Sequence, residues 1–138
     1  MNYLLDTNAV IAVLNDRPAR VRVRLRQVLS RGSEIGVSSV VLYELWHGVA
    51  RSKRRNENAE RLRIFLSGDI DVIVFDENDA VKAGDLRAAL EMTGAPIGPY
   101  DLLIAAQALR NNATLITANV SEFARVHGLA WQDWTAAA

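Results

Sequence analysis

Five polar residues of this 138-residue chain stand where their side chains could act on a substrate: Asp6, Glu44, Asp101, Asn119 and Glu122. Asp6 directly follows the apolar run Tyr3-Leu4-Leu5. Glu44 sits among Val40, Val41, Leu42, Leu45 and Val49, near the apolar side of the helix they would form. A carboxylate buried there without a partner is costly, so something must compensate it. Asp101 opens the stretch Leu102-Leu103-Ile104-Ala105-Ala106, and Asn119 and Glu122 follow Thr114-Leu115-Ile116. Taken singly each has an ordinary explanation: a turn or helix-capping Asp, an exposed Glu, an acid favoured by a helix dipole. Gathered, they would be a set of oxygen donors. Two carboxylates ~5 Å apart repel by roughly 3 kcal/mol at an effective dielectric of about 20. Three or four together call for a cation, and hard oxygen donors suit Mg²⁺ or Mn²⁺, either of which can activate a bound water.

The elements that must position these residues can be read along the chain. Tyr3 to Leu5 predicts a short strand, with Thr7 and Asn8 as caps of a helix from Ala9 to Leu14. Ala19 to Arg31 predicts a helix with Val21, Leu25, Val28 and Leu29 on one face, and Glu34 to Val37 a second strand. Ser38-Ser39 caps a helix over Val40 to Ala50, and after the basic connection Arg51 to Arg55 another runs from Glu57 to Leu66. Asp71 to Phe75, rich in β-branched residues, is the clearest strand and ends in a turn-like Asp76-Glu77-Asn78-Asp79. A long helix from Ala80 to Met92, a stiff loop with Pro96 and Pro99, and an apolar helix from Tyr100 to Arg110 follow. Thr114 to Ile116 predicts a strand, Ser121 to Val126 a short helix and Leu129 to Trp131 a last strand. Strands alternating with helices imply a single three-layer α/β/α domain with a short, mostly parallel central sheet. Such folds bind ligands beyond the carboxyl ends of the strands.

Composition bounds the reading. Half the residues are hydrophobic, enough for a sizeable core, and the length suits one domain. The absence of cysteine excludes disulfides and thiolate metal sites and fits a reducing cytoplasm. No secretion signal is evident at Met1-Asn2-Tyr3, and no uncharged apolar stretch is long enough to span a bilayer, so a soluble cytoplasmic protein without a membrane partner is expected. The formal net charge of zero hides an asymmetry: Arg17 to Arg63 holds twelve of the sixteen Lys and Arg against four acids. A basic segment beside an acidic remainder is the footprint of phosphate binding, or simply a pair of solvated basic helices.

The motifs become specific in combination. Asp6-Thr7-Asn8, Tyr43-Glu44-Leu45 with Gly48, Pro96-Ile97-Gly98-Pro99-Tyr100-Asp101 leading into Ile104-Ala105-Ala106, and Leu115-Ile116-Thr117-Ala118-Asn119 with Glu122-Phe123 resemble the PIN-domain pattern, in order and at its approximate spacings. The resemblance covers essentially the whole chain. Length and the Arg51-Ser52-Lys53-Arg54-Arg55 insert look most like the VapC-type toxins of bacterial toxin–antitoxin pairs. It implies a PIN-like domain over residues 1–134 with a tail at 135–138, and a metal-dependent endoribonuclease using Mg²⁺, with Mn²⁺ possible. It also implies an RNA substrate, a small VapB-like antitoxin and a homodimer. By the same resemblance Asp6, Glu44 and Asp101 are metal-site carboxylates, with Asp6 and Asp101 direct ligands and Glu44 a ligand or the group that orients water. Many members carry Asp where this chain has Asn119, so Asn119 or Glu122 would be the auxiliary ligand. Arg51, Lys53, Arg54 and Arg55 are candidates for RNA contact.

Other polar residues read more plainly. Thr117 is placed to orient Asp6 from a neighbouring strand; His47 and Asp85 suit helix surfaces, and His127 a structural turn. Trp46, Trp131 and Trp134 suit core or interface. A Rossmann site is excluded because no glycine-rich loop follows the first strand. A haloacid-dehalogenase-type phosphatase would need a second Asp where Asn8 stands, and a receiver domain would need more acids near Asp6. The remaining alternative is a PIN-like RNA- or protein-binding module with a degraded site.

Overall fold

The computed structural model describes residues 1–136. Five strands, β1 (Tyr3–Leu5), β2 (Ile35–Ser38), β3 (Ile70–Ile73), β4 (Thr114–Ile116) and β5 (Trp131–Gln132), form one parallel sheet in the order β3-β2-β1-β4-β5. Parallel pairing requires a crossover between strands. These are built from α1 (Thr7–Asn15), α2 (Ala19–Ser30), α3 (Ser39–Arg51), α4 (Arg55–Leu66), α5 (Glu77–Met92), α6 (Pro99–Arg110) and α7 (Val120–Phe123). The result is the expected α/β/α domain.

The three inner strands carry the core. Leu5 pairs in register with Val37 on one side and Ile116 on the other, and Leu4, Leu5, Ile35, Val37 and Leu115 are wholly buried. Strands covered on both faces need apolar residues at every position, which is why Tyr3-Leu4-Leu5 and Thr114-Leu115-Ile116 read as continuous runs. The segment with the strongest strand composition is instead at the edge: β3 pairs only with β2, and Val72 and Val74 are exposed. Composition measures fit to a pleated surface; it says nothing of whether that surface is central.

Helix ends differ from expectation, α7 closing at Phe123 where Val126 was expected, and two of the differences concern the capping residues. Asp6 itself is the N-cap of α1, accepting from the Ala9 N–H at 2.8 Å, so Thr7 and Asn8 are helical residues and do not cap. Asp76-Glu77-Asn78-Asp79 is no free turn: Asp76 and Asp79 exchange side-chain-to-backbone hydrogen bonds, both 2.9 Å, in a capping box that starts α5. Ser38 caps α3 as read from the sequence, accepting from Val40 N–H at 3.0 Å. Trp134 is core, packed edge-on against Tyr3 with ring centroids 5.5 Å apart, whereas Trp131 is partly exposed on the last strand. His47, Asp85 and His127 are exposed. Beyond residue 134, Thr135 is tied back by its N–H and hydroxyl, which donate to Asp133, and by Arg20, which donates to its carbonyl. Residues 137 and 138 of the expected tail lie outside the described residues.

Candidate active site

The sheet order creates the site. β1 has β2 on one side and β4 on the other, so the chain leaves the carboxyl ends of β1 and β4 in diverging directions and opens a crevice there. Asp6 occupies that point, only 6% exposed. Its own N–H donates to the Ile116 carbonyl at 3.1 Å, which ties it to the end of β4. Burial pushes the Asp6 carboxyl above its usual range; the Thr117 hydroxyl and Ala9 N–H oppose that, and the charges of Glu44 and Asp133 add to it. Thr117 thus supports Asp6 as expected.

Two further elements bring acids to the crevice. α3 delivers Glu44, half-buried, whose Oε1 accepts from the Thr7 hydroxyl at 2.8 Å. That hydrogen bond compensates a carboxylate on the inward side of its helix. α6 begins at Pro99, where a missing N–H costs nothing, and places Asp101 in its first turn. The Asp101 carboxyl is pushed up to about 7, first by burial, then by its hydrogen bond with Glu122 and that group's charge, then by Asp6 and Glu44. Glu122 moves the other way, held down by the shared hydrogen bond with Asp101 and by the Gly98 N–H, which donates to Oε1 at 2.9 Å. The two carboxyls are thus drawn apart, Asp101 upward and Glu122 downward. Asn119 bridges them, its amide nitrogen donating to Asp101 Oδ2 at 3.3 Å and to Glu122 Oε2.

The profile of the PIN domain family matches residues 3–129. Ribonuclease VapC2 of Rickettsia felis is 40% identical over 134 residues, 97% of this chain and 98% of its own length. The tRNA(fMet)-specific endonuclease VapC of Shigella flexneri is 37% identical over 135 residues, 98% of this chain and 99% of its own. The chain belongs to the PIN domain family, in its VapC group. Among solved structures, VapBC2 from Rickettsia felis, bound to a DNA fragment from their promoter, superposes with a TM-score of 0.90 at 39% identity, covering 97% of this PIN domain and 99% of that chain.

This PIN domain thus gathers Asp6, Glu44, Asp101, Asn119 and Glu122 from four elements and the loops beside them. Among the described residues no three His, Asp or Glu side chains converge tightly enough to hold a metal ion as they stand. Glu44 is turned to Thr7, and Glu122 to Gly98 and Asn119. The donor chemistry nevertheless fits a hard divalent cation: the donors are oxygens, and the Asp101 carboxyl, raised first by burial, also feels the charges of Glu122, Asp6 and Glu44. Asp6, Glu44 and Asp101 are the residues that would hold it.

The basic candidates are elsewhere. Arg51 lies about 10 Å along α3 from Glu44, seven residues at the helical rise, and Lys53, Arg54 and Arg55 are exposed at the α3–α4 junction. Asp133 was missed by the sequence reading. It follows β5, beside Thr117, and its charge reaches Asp6. The last strand was expected over Leu129 to Trp131, which puts Gln132 after its end; β5 is instead Trp131–Gln132, too short to show a pattern, and only that register puts Asp133 after it.

Proposed function

We propose that this PIN domain is a divalent-metal-dependent endoribonuclease, the toxin of a type II toxin–antitoxin pair. The observation that carries the reading is that Asp6, Glu44 and Asp101 face the crevice beyond β1 and β4, where burial first, then Glu122, and then the charges of Asp6 and Glu44 push the Asp101 carboxyl up to about 7. Such crowding is costly to the fold and is useful only where positive charge arrives. A degraded binding module would have no need to keep it.

A bound Mg²⁺ or Mn²⁺ would lower the pKa of water and offset charge on the phosphoryl oxygens. Asp6 and Asp101 are assigned as its holders, and Glu44 holds it or orients the attacking water. The Asn119 amide and the Gly98 N–H keep Glu122 against Asp101, so that the pair can hold or release a proton beside the reacting phosphate. Water adds its oxygen to phosphorus, the bond to the 3′ oxygen breaks, and the proton from water ends on that oxygen, leaving a 5′-phosphate and a 3′-hydroxyl. Arg51, Lys53, Arg54 and Arg55 are assigned to RNA phosphates or to an acidic antitoxin segment.

The names of the relatives support RNA as substrate and a VapB-like antitoxin as partner, with transfer RNA the first substrate to try. A homodimer and a cytoplasmic location complete the reading; among the described residues no helix is long and apolar enough to cross a membrane. The test is cleavage of purified transfer RNA in Mg²⁺ or Mn²⁺. The parent should cut, and Asp101→Asn should lose at least about 100-fold in kcat and cease to inhibit growth while folding normally. A fully active Asp101→Asn enzyme would overturn the site assignment.

A further inference from the structure

Three rings stand in a row on the surface beside the acids. Tyr43 and Tyr100 are 56% and 43% exposed, and their centroids lie 5.7 Å apart across α3 and α6. One helical turn beyond Tyr43, the exposed His47 ring lies parallel to it within 8°, centroids 6.3 Å apart. Each tyrosine immediately precedes a site acid, Tyr43 before Glu44 and Tyr100 before Asp101. A single exposed ring needs no explanation, but a contiguous aromatic row at the mouth of a site does.

We propose that Tyr43, His47 and Tyr100 form a stacking platform for unpaired bases of single-stranded RNA flanking the phosphodiester held at Asp6, Glu44 and Asp101. The inference rests on the endoribonuclease reading and deepens it by naming the residues that hold the bases beside the cut. Bases can reach aromatic side chains only when splayed out of a helix, and every base offers a ring face, so such a platform selects strandedness and tolerates sequence. The position favours this occupant over a second copy of the chain. A two-fold contact centred on the row would bring Glu44 and Asp101 towards their own copies, with like charges facing.

The test uses the full chain, Tyr43→Leu and Tyr100→Leu, the ring-preserving Tyr43→Phe and Tyr100→Phe, and a short labelled single-stranded RNA containing one cut site. The same RNA is also made with one abasic nucleotide at each flanking position in turn. Each Leu variant should raise KM and the Kd read by anisotropy roughly 5- to 100-fold, with a smaller effect on kcat, while the Phe variants stay near the parent. An abasic nucleotide at the stacked position should weaken the parent and erase its advantage over the Leu variant. Leu variants that bind and cut like the parent overturn the platform, as does an equal loss in Leu and Phe variants that no abasic position removes. Unchanged RNA binding with a loss of dimer in sedimentation assigns the row to contact between copies. A parent that cuts no RNA sinks the ribonuclease reading, and the anisotropy comparison then decides the platform separately.

Discussion

The side-chain nitrogen of Asn119 lies 3.3 Å from Asp101 Oδ2 and donates to Glu122 Oε2 as well. Position 119 therefore joins two acids through a donor where the family pattern often has a further acid. Asn119→Asp should replace both hydrogen bonds with repulsion. In chelator its stability should fall by about 1–3 kcal/mol, roughly 3–10 °C in melting temperature, and its gain from added Mn²⁺ should exceed the parent's. A variant that melts like the parent under both conditions would leave Glu122 as the fourth member of the site.

The raised Asp101 carboxyl makes a pH prediction of definite sign. Its folded value of about 7 lies above the unfolded value near 3.9, so its contribution to stability is full below about pH 4 and is lost as pH rises to about 7. In chelator, this group should lower the melting temperature of the parent across that interval. Glu122→Gln removes the second and third causes of the shift and should flatten the decline. An equally steep decline in the variant would mean that burial, with the charges of Asp6 and Glu44, raises Asp101 without Glu122.

Cation binding should be visible as stability. A cation that binds only the folded chain, at 100 times its dissociation constant, adds ~2.7 kcal/mol, or about 5–10 °C for a domain near this size. Asp6→Asn should cancel most of the gain. Its amide oxygen can still accept from the Ala9 N–H, so the α1 cap is retained and the change reports charge. Thermal melts with and without Mn²⁺ measure this; a parent that does not respond would return the chain to the binding-module reading.

Arg51, Lys53 and Arg55 make no ion pair among the described residues, whereas Arg54 lies 3.7 Å from Glu57. Reversing those three charges should weaken binding to all RNAs alike. It should also reduce the slope of log affinity against log salt by roughly 2, from counterion release on a single strand. The measurement is made without antitoxin. An unchanged slope would leave these residues as solvated surface or an antitoxin contact.

Away from the site, Asp79 is 2% exposed and accepts from Arg110 at 2.7 Å. Burial raises its carboxyl, but the Asp76 N–H, Arg110 and Gln107 together hold it below its usual range. Its stabilisation is present above the unfolded value and is lost as pH falls through the lower folded value. Arg110→Ala leaves the buried charge without its cation and should cost about 3 kcal/mol by urea titration at pH 7. It should also bring acid unfolding to a higher pH. A loss below about 1 kcal/mol would show that the capping box and Gln107 suffice.

The sequence alone determined the order of the elements, because apolar runs and helical periodicity are local properties. It also placed Asp6, Asp101 and Asn119 at element ends, where functional groups collect in an α/β fold. Glu44 could be singled out because an acid among Val41, Leu42 and Leu45 demands compensation, although only the fold shows that Thr7 supplies it. Tertiary structure alone decided that β1 lies between β2 and β4, since strands of two to four residues carry no code for their neighbours. From that order follow the contact of Asp6 with the end of β4, the approach of Asp133, and the edge position of the most strand-like segment. The role of Asn119 was equally hidden: which end of an amide faces an acid depends on partners 18 residues back and three ahead, and their hydrogen-bond geometry exists only in the folded chain.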